Sequence, residues 1–278
     1  MVKVGVVVLN YKKYIETQEC VESILKQKNI DLHVVIVENG SGNESWDYLQ
    51  KRYGNCINIS LIKSETNLGY AKGNNLGIKL LRKDGYEYIF IANSDIYFSS
   101  EDIISDMVNV DNKKDGVLIP IIRNLDGTIE QRVTYIKKMF ALRIIKNLSK
   151  ILFMKREKRI VNNEFNEINK TLVGEVSDRY VFSGSAYMLT PSFFKNYACL
   201  FPKTFLYCEE IASLIYVHKA RLTTRIVDTK EIIHKGAAST PEDGRDGSKI
   251  KEKLIKQSAK RVFPLIFMSR RRIAKKYR

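Results

Sequence analysis

The sequence predicts an α/β fold in which helices flank a mainly parallel central sheet. Residues 4–9 are a nearly continuous run of valines closed by a leucine, which is typical of a strand buried on both faces. Predicted strands and helices then alternate through the first 95 residues, and this alternation indicates βαβ units. The chain has 278 residues with 44% hydrophobic content, which is enough for one large core with a small appendage.

The first half of the chain has the more regular pattern. Apolar residues at helical spacing, such as Leu76 and Leu80, indicate helices, and short β-branched runs indicate strands. After the first strand, the predicted elements are helix 14–28, strand 33–37, helix 44–53, strand 57–62, helix 74–82 and strand 88–92. We expect the carboxyl ends of these parallel strands to meet at one edge of the sheet, where open α/β sheets bind their ligands.

The second half is less regular. An acidic first turn predicts a short helix after Ser100, and Pro191 predicts the start of another, because proline fits the first helical position. The other predicted elements are strands 117–122, 128–134, 180–190, 223–227 and 231–234, a hairpin turn at 124–127, and helix 209–219. Glycine, proline and acidic residues at 239–250 predict a linker.

These patterns predict one globular domain over residues 1–239 and a basic helical extension over residues 240–278. Within the domain, residues 1–98 form a first half with the ligand-binding strand ends. Residues 99–239 form a second half, which includes a basic amphipathic insertion at 135–172.

The net charge of +16 is concentrated in two segments. Residues 137–159 have nine basic residues and one acidic residue, residues 249–278 have twelve and one, and the rest of the chain has a net charge of −3. Both segments interleave charged with apolar residues, as in the apolar run 262–268 before Arg270. They are either basic helices packed on the body by an apolar stripe or interfacial elements on anionic lipid. Nucleic-acid binding is disfavoured, because no stacking aromatics or reading motif accompany the charge.

The sequence predicts a cytoplasmic protein, either soluble or peripheral on the inner face of the plasma membrane. The amino terminus runs directly into a strand, so we expect no signal peptide. No apolar run approaches the ~20 residues of a membrane span. The four cysteines lack the paired spacing of metal sites and are expected to be free thiols in a reducing compartment.

Polar motifs follow the first two predicted strands. An amide and an aromatic ring at Asn10 and Tyr11 could hold a nucleobase or ribose. Glu38 closes the second strand before a turn that contains Gly40, and its carboxylate could accept hydrogen bonds from the same ligand. For each motif taken alone, an ordinary strand end or turn is the favoured interpretation. A dinucleotide-binding dehydrogenase is disfavoured, because no Gly-x-Gly-x-x-Gly follows the first strand.

Two further motifs point to a phosphate-bearing ligand and a metal. Residues 67–77, which include Gly69 and Asn74, place glycines and amides at a helix start, where backbone can approach a phosphate and the helix terminus favours its charge. Asn93 and Asp95 follow the fourth strand, and one carboxylate with a bound diphosphate suits Mg²⁺ or Mn²⁺. The alternative readings are a glycine-rich loop and an aspartate in a turn.

Taken in this order, the four motifs resemble those of the family 2 glycosyltransferases with the GT-A fold, especially a bacterial rhamnosyltransferase-like branch. The resemblance is strong over residues 3–98 and weaker over 180–239. In the second region, residues 182–186 resemble the acceptor-side glycine segment of the family. Residues 205–210 resemble its aromatic-x-Tyr-x-Glu-Asp segment, and residues 233–236 resemble its His-x-Gly strand end.

The resemblance implies a role for each matching residue. The residues that it places in the site are Asn10, Tyr11 and Glu38 at the nucleoside, Gly69 and Asn74 along the donor, Asn93 and Asp95 at the diphosphate and metal, Glu210 as catalytic base, and His234 as a further metal contact. The implied cofactor is Mn²⁺ or Mg²⁺.

The implied function is inverting transfer of a sugar from a nucleoside-diphosphate donor to a saccharide acceptor, lipid-linked in the favoured version, during assembly of bacterial cell-surface polysaccharide. The sequence departs from the family pattern where Asn93 replaces an acid, Glu210 replaces Asp and Ala212 replaces another acid. These departures leave open a partner subunit that keeps the fold without the reaction. The net charge of +16 leaves open a second alternative, a basic nucleic-acid-binding protein.

Overall fold

The computed structural model describes residues 1–130, 174–176, 182–236 and 245–277. Eleven strands lie in these ranges: β1 (Val2–Asn10), β2 (Ile30–Asn39), β3 (Ile59–Ser64), β4 (Tyr88–Asn93), β5 (Ile96–Phe98), β6 (Asp115–Ile119), β7 (Ile122–Asn124), β8 (Gly174–Val176), β9 (Ala186–Leu189), β10 (Thr223–Ile226) and β11 (Ile232–His234). The predictions for the insertion 135–172 and for the first basic segment lie outside the described residues.

The α-helices of the described ranges are α1 (Tyr14–Ile24), α2 (Ser45–Tyr53), α3 (Tyr70–Lys83), α4 (Ile103–Asn109), α5 (Pro191–Phe194), α6 (Glu209–Ala220), α7 (Arg245–Val262) and α8 (Arg270–Lys276). A 3₁₀ helix, Phe263–Phe267, joins α7 to α8. None of the helices that the structure describes is both long and apolar enough to span a bilayer.

An eight-stranded sheet in the order β3-β2-β1-β4-β9-β6-β10-β8 forms the centre of the molecule. The β3-β2-β1-β4 part is parallel throughout, and β6 and β10 are also parallel to each other. Strand β9 is antiparallel to both of its neighbours and joins the two halves of the chain. The predicted α/β fold with a mainly parallel central sheet is therefore confirmed.

Hydrophobic cores lie on both faces of this sheet, as strands buried on two sides require. One core includes Val6, Val8 and Phe90, and the other includes Val7 and Tyr187, so alternate residues of β1 face opposite layers. Helix α3 fits closely on β1 because Gly73 and Gly77 leave space for Leu9 and Val7. A methyl group on Gly77 would lie 2.6 Å from a Val7 methyl carbon.

A second, three-stranded sheet in the order β5-β11-β7 lies beside the end of β4. Its strand β11 pairs antiparallel with β5, which places His234 opposite Ile96. The backbone N–H of Lys235 also donates to the carbonyl oxygen of Asp95 at 2.9 Å. This small sheet therefore brings the 231–234 region, which is distant in sequence, to the tip that follows β4.

The C-terminal helices pack on the second half of the domain. Leu265 and Ile273 are fully buried in the core that also contains residues of α6, and Ala259 is nearly so. The apolar stripe of residues 249–278 is packed on the body, as the first of the two readings predicted, while the basic residues of the opposite side are exposed. The apolar run 262–268 is divided, because Val262 and Met268 face this core while Phe267 is 72% exposed.

Element boundaries differ from the predictions at several places. In the described part of the predicted strand 128–134, Ile129 forms only an isolated bridge with Arg123, and the predicted strand 180–190 begins only at Ala186. Helix α3 begins at Tyr70, so the glycine motif forms its first two turns instead of preceding it. Residues 245–250 of the predicted linker are helical, because the periodic Lys and Ile of α7 begin there. The predicted strand 117–122 is divided at Pro120, which has no N–H for a ladder bond. The short strand β5 was not predicted at all.

Candidate active site

The ends of β1, β2 and β4 lie side by side, because the strands are in parallel register. Asn10 is paired with Glu38, and Leu9 is paired with Asn93. The polar residues that follow three predicted strands therefore meet at one edge of the sheet, as expected for a ligand site in an open α/β sheet.

Asn10 and Glu38 are buried and hydrogen-bonded to their neighbours. The Thr17 hydroxyl donates to Asn10 Oδ1 at 2.8 Å, and the Ser41 N–H donates to Glu38 Oε1 at 2.8 Å. The first bond holds the end of β1 against α1, and the second closes the turn after β2. The two segments are joined by the Lys12 N–H, which donates to Ser41 Oγ at 2.8 Å. Tyr11 is half-buried, and its ring centroid lies 5.2 Å from Lys12 Nζ. Of the residues expected at the nucleoside, Tyr11 is therefore the one with an accessible face.

The turn after β2 is packed against the loop that leads into α3. Asn39 Nδ2 donates to Asn67 Oδ1 at 3.1 Å, and the Leu68 N–H donates to Asn39 Oδ1, also at 3.1 Å. Gly40 has a φ of +68°, and a Cβ there would lie 2.2 Å from the carbonyl carbon of Thr66. Only glycine fits this position, so the two loops form one rigid wall.

The start of α3 contacts the segment that precedes α6. Gly69 has a φ of +79°, and a Cβ there would lie 2.2 Å from the Phe205 carbonyl oxygen. The Tyr70 N–H donates to the same oxygen at 2.8 Å. Asn74 is fully buried, and its Nδ2 donates to the Tyr70 carbonyl at 3.0 Å. Among the described residues its Oδ1 has no hydrogen-bond partner, so one amide acceptor remains at this helix start.

Asp95, His234 and Glu130 form a buried ionic cluster at the end of β4. His234 Nε2 lies 3.2 Å from Asp95 Oδ2, and His234 Nδ1 lies 2.7 Å from Glu130 Oε2. Burial alone would lower the pKa of His234, but the hydrogen bonds to Asp95 and Glu130 outweigh it and raise the pKa to about 10. Burial would raise the pKa of Glu130, yet its bond with His234 holds that pKa below its ordinary value. The imidazole is therefore a cation between two carboxylates.

Carboxylate oxygens are the ligands that Mg²⁺ and Mn²⁺ prefer, so the chemistry of this cluster fits a divalent cation. Within the ranges that the structure describes, no three His, Cys, Asp or Glu side chains are arranged to hold a metal by themselves. Asp95 and Glu130 could supply oxygen ligands, and His234 could supply nitrogen only after losing its proton. A cation here would need further oxygens from a bound diphosphate.

Glu209 and Glu210 occupy the first turn of α6, directly after a strained backbone segment. Tyr207 and Cys208 both have positive φ, at 71° and 68°, although neither is glycine. Consecutive left-handed residues are costly and are retained where the surrounding structure demands them. Burial, and after it the charge of Glu210, raise the pKa of Glu209 to about 8. The more exposed Glu210 is the better placed of the two to meet a ligand.

Residues 183–185 connect the Glu210 region with the ionic cluster. A Cβ on Gly184 would lie 2.5 Å from Glu210 Oε1, so this carboxylate lies directly over the Gly184 backbone. The Ser185 hydroxyl donates to Glu130 Oε2 at 3.0 Å, and the Asn93 N–H donates to the Ser185 carbonyl at 2.8 Å. One three-residue segment thus touches Glu210, the end of β4 and the partner of His234.

Two residues of this site were not predicted from the sequence. Glu130 was assigned to a strand without a role, and Tyr70 was treated only as part of the glycine motif. Tyr70 is half-buried, and its hydroxyl donates to the Gly184 carbonyl. Burial, together with the nearby Tyr187 and Glu210, raises the pKa of Tyr70 well above its ordinary range. No sequence pattern marks Glu130, because its contact with His234 depends on the pairing of β7 with β11.

Comparison with solved structures identifies the fold. The chain is similar to a mannosyltransferase from Pyrobaculum calidifontis in complex with GDP-Man and Mn²⁺. The TM-score is 0.59 and the sequence identity is 13%, over 89% of this chain and 60% of that one. For S. aureus TarS 1–349 in complex with UDP the values are 0.56 and 15%, over 84% and 61%. The chain thus spans about three fifths of these solved chains. At such identities the likeness shows a shared GT-A fold.

No curated protein matches the chain. The model of the family described as "Glycosyl transferase family 2" matches residues 4–170, which is more than half of the chain and includes the ends of β1, β2 and β4. The protein therefore belongs to glycosyl transferase family 2.

Proposed function

We propose that this glycosyltransferase moves a sugar from a nucleoside-diphosphate donor to a saccharide acceptor with inversion at the anomeric carbon. The observation that supports this most is the link through residues 183–185. Gly184 contacts Glu210, while Ser185 contacts both Glu130 and the end of β4. A candidate base and a candidate diphosphate site therefore share one pocket wall.

A nucleoside-diphosphate sugar is the donor class that fits the first half. TarS structures contain UDP or UDP-GlcNAc, and the mannosyltransferase contains GDP-Man. In this chain the open ring of Tyr11 would contact the nucleoside, and the rigid wall formed by Asn39, Gly40 and Asn67 would shape its pocket. The sugar-diphosphate would extend toward Gly69, Asn74 and Asp95.

For the reaction, we propose that Glu210 accepts the proton of the acceptor hydroxyl as it attacks the anomeric carbon from the face opposite the leaving diphosphate. The transition state would be oxocarbenium-like, as in other glycosyl cleavage reactions. The position of Glu210 in the first turn of α6 favours its ionised form, because the helix dipole stabilises negative charge there.

We further propose that a divalent cation, Mn²⁺ or Mg²⁺, assists departure of the diphosphate. When bound, such an ion neutralises charge that develops on the leaving group. Asp95 would be its main protein ligand, and His234 and Glu130 would complete or support the site. The Mn²⁺ in the mannosyltransferase complex supports this part of the proposal.

The acceptor side of the proposal is a saccharide, lipid-linked and presented at the cytoplasmic face of a bacterial membrane, in cell-surface polysaccharide assembly. It is motivated by the basic C-terminal helices, which would hold the enzyme at an anionic surface.

The test is metal-dependent donor binding and transfer. Isothermal calorimetry with UDP and GDP, with and without Mn²⁺, should show metal-dependent affinity in the wild type. Asp95→Ala should lose that dependence, while Glu87→Ala, at an exposed acid of the same half, should keep it. Unchanged Mn²⁺-dependent affinity in Asp95→Ala would show that the metal site lies elsewhere. A wild type that binds these nucleotides but transfers and hydrolyses no nucleotide sugar would support the non-catalytic alternative.

A further inference from the structure

The C-terminal unit, which we define as α7, the 3₁₀ helix and α8, has basic side chains on two faces. On the inner face, Lys251 Nζ lies 5.7 Å from the Tyr207 ring centroid, and Arg261 Nη1 donates to the Lys203 carbonyl at 2.9 Å. On α8, Arg270 Nη1 donates to Asn196 Oδ1 at 2.8 Å. These side chains attach the unit to the body.

The outer face of α7 carries a row of lysines. The row comprises Lys249, Lys253, Lys256 and Lys260. Their spacing of four, three and four residues aligns them along one side of a helix. All four are exposed, and among the described acids only Glu252 pairs with one of them, contacting Lys256 at 2.6 Å. The buried positions Ile255, Ser258 and Val262 lie on the opposite side of the helix.

An apolar tip adjoins this lysine row. Phe267 is 72% exposed, and its ring centroid lies 5.3 Å from that of Phe263. Pro264 is exposed beside them. Arg271 and Arg272, on the first turn of α8, are also exposed. An exposed aromatic tip between two groups of cations has no structural function within the described part of the chain.

We infer that the lysine row of α7 and the Phe267 tip form a docking surface for an anionic lipid bilayer. Lysines spread along a helix face suit the diffuse charge of anionic headgroups, and an apolar tip flanked by cations suits insertion at the headgroup boundary. Nucleic acid is the poorer match, because the tip offers no polar group to read a base edge and no series of aromatic platforms. Leu265, in the same 3₁₀ helix as the tip, is fully buried, so the segment that carries the tip is anchored to the body.

This inference deepens the proposed membrane location and rests on that proposal. The inner face of α7 contacts the segment that ends at Glu209, because Ser258 Oγ donates to the Leu206 carbonyl at 2.9 Å. Docking through the outer face would therefore hold Glu210 at a fixed distance from the bilayer. A lipid-linked saccharide is the acceptor class that such an arrangement serves.

The test is co-sedimentation of the full chain with vesicles of equimolar phosphatidylglycerol and phosphatidylcholine, compared with phosphatidylcholine alone, at low salt. The wild type should bind only the anionic vesicles. Replacing the four row lysines by Gln should weaken binding by roughly 10²–10³-fold, at about fivefold per lysine. The matched control replaces Lys26, Lys51, Lys79 and Lys83, exposed lysines of the first half, and should retain binding.

A second pair of variants tests the apolar tip. Phe267→Ser should weaken vesicle binding by about tenfold or more, because the inserted ring is lost. Ile57→Ser removes an apolar side chain that is 98% exposed on the other half and should have no effect.

Three results would overturn the assignment of this surface. Equal losses in the two lysine variants would show a general charge effect, and no binding by the wild type would remove the membrane location as well. Loss of labelled-oligonucleotide binding in the row variant, without vesicle binding by the wild type, would assign the surface to nucleic acid.

Transfer to a soluble acceptor, measured on the same preparations, should persist when vesicle binding is lost. A protein that binds vesicles but transfers no sugar would refute the proposed reaction and leave the docking surface standing.

Discussion

The two halves of this family 2 protein hold their candidate site residues by different means. In the first half, Asn10, Glu38 and Asn93 stand at strand ends, where parallel register and short bonds to near neighbours hold them. In the second half, Glu210 follows two left-handed residues and is supported by contacts with Gly184 and, through Leu206, with α7. The candidate ligand-binding positions therefore depend on local strand geometry, whereas the candidate reactive positions depend on distant segments.

The largest effect that separates the halves should come from Glu210→Gln. This change preserves size and removes the proton acceptor, so turnover should fall by ~10²–10⁴-fold while donor affinity in the first half stays unchanged. Steady-state kinetics with a titrated acceptor, and calorimetry with the donor nucleotide, measure the two quantities. If Glu209→Gln proves to be the crippling change, the base is the neighbouring residue and our assignment is wrong.

The dependence of the second half on the C-terminal unit predicts a large loss of stability in Leu265→Ala. Leu265 is fully buried, so the change should lower the free energy of unfolding by ~2–5 kcal/mol. Ile250→Ala, at a residue that is 47% exposed, should change it by less than ~0.5 kcal/mol. Urea unfolding can be followed by fluorescence of Trp46, the single tryptophan, and by far-ultraviolet circular dichroism.

Trp46 lies in α2 and reports on the first half. Coincident transitions by both probes in Leu265→Ala would show that the halves unfold together. Separated transitions would show that the second half can unfold first, which would strengthen the contrast between them.

A smaller effect should follow Glu130→Gln. Glu130 contacts His234 Nδ1 and helps to keep the imidazole protonated, although it belongs to none of the sequence motifs. We expect Mn²⁺-dependent nucleotide affinity to weaken by ~10–100-fold, as for other partners of metal-site residues, while affinity without metal is unchanged. Glu231→Gln is the matched control, since Glu231 pairs with Arg123 instead. Identical calorimetric titrations for the two variants would remove Glu130 from the site.

The last effect concerns the pH dependence of stability. The pKa of Glu209 is raised to about 8 in the folded protein, from an ordinary value of 4.5. Between these values the folded state keeps a proton that the unfolded chain releases, so stability should fall as pH rises through this window, by at most ~1.4 kcal/mol per pH unit. Glu209→Gln should remove this contribution, whereas Glu87→Gln, at an exposed acid, should not. Thermal unfolding of the three proteins at pH 5 and pH 8 measures it, and parallel losses in all three would contradict the assignment.

The sequence predicted the first half well because its signals are local. Valine runs and helical spacing are enough to place β1, β2 and β4, and parallel register then brings Asn10, Glu38 and Asn93 together. The family match over residues 4–170 confirms the resemblance that these motifs suggested.

The second half was harder to predict because its contacts are between distant segments. Glu130 meets His234 through a three-stranded sheet whose strand β5 carries no propensity signal beyond three residues. Helix α7 supports the segment before α6 through a hydrogen bond to the Leu206 carbonyl, and this contact depends on tertiary packing. The composition of residues 239–250 indicated a linker, although a helix begins within them. Local patterns cannot encode such pairings, which tertiary contacts decide.

The antiparallel strand β9 has a consequence for how the chain is made. It pairs with β4 by aligning Ile89 with Leu189, so the two partners are roughly a hundred residues apart. A ribosome delivers the amino-terminal half first, and until β9 emerges the inner edge of β4 has no neighbour. An unpaired apolar edge invites pairing with other nascent chains. The first half thus has all of its sequence motifs long before its sheet is complete, and its folding without aggregation depends on prompt synthesis of the rest of the chain.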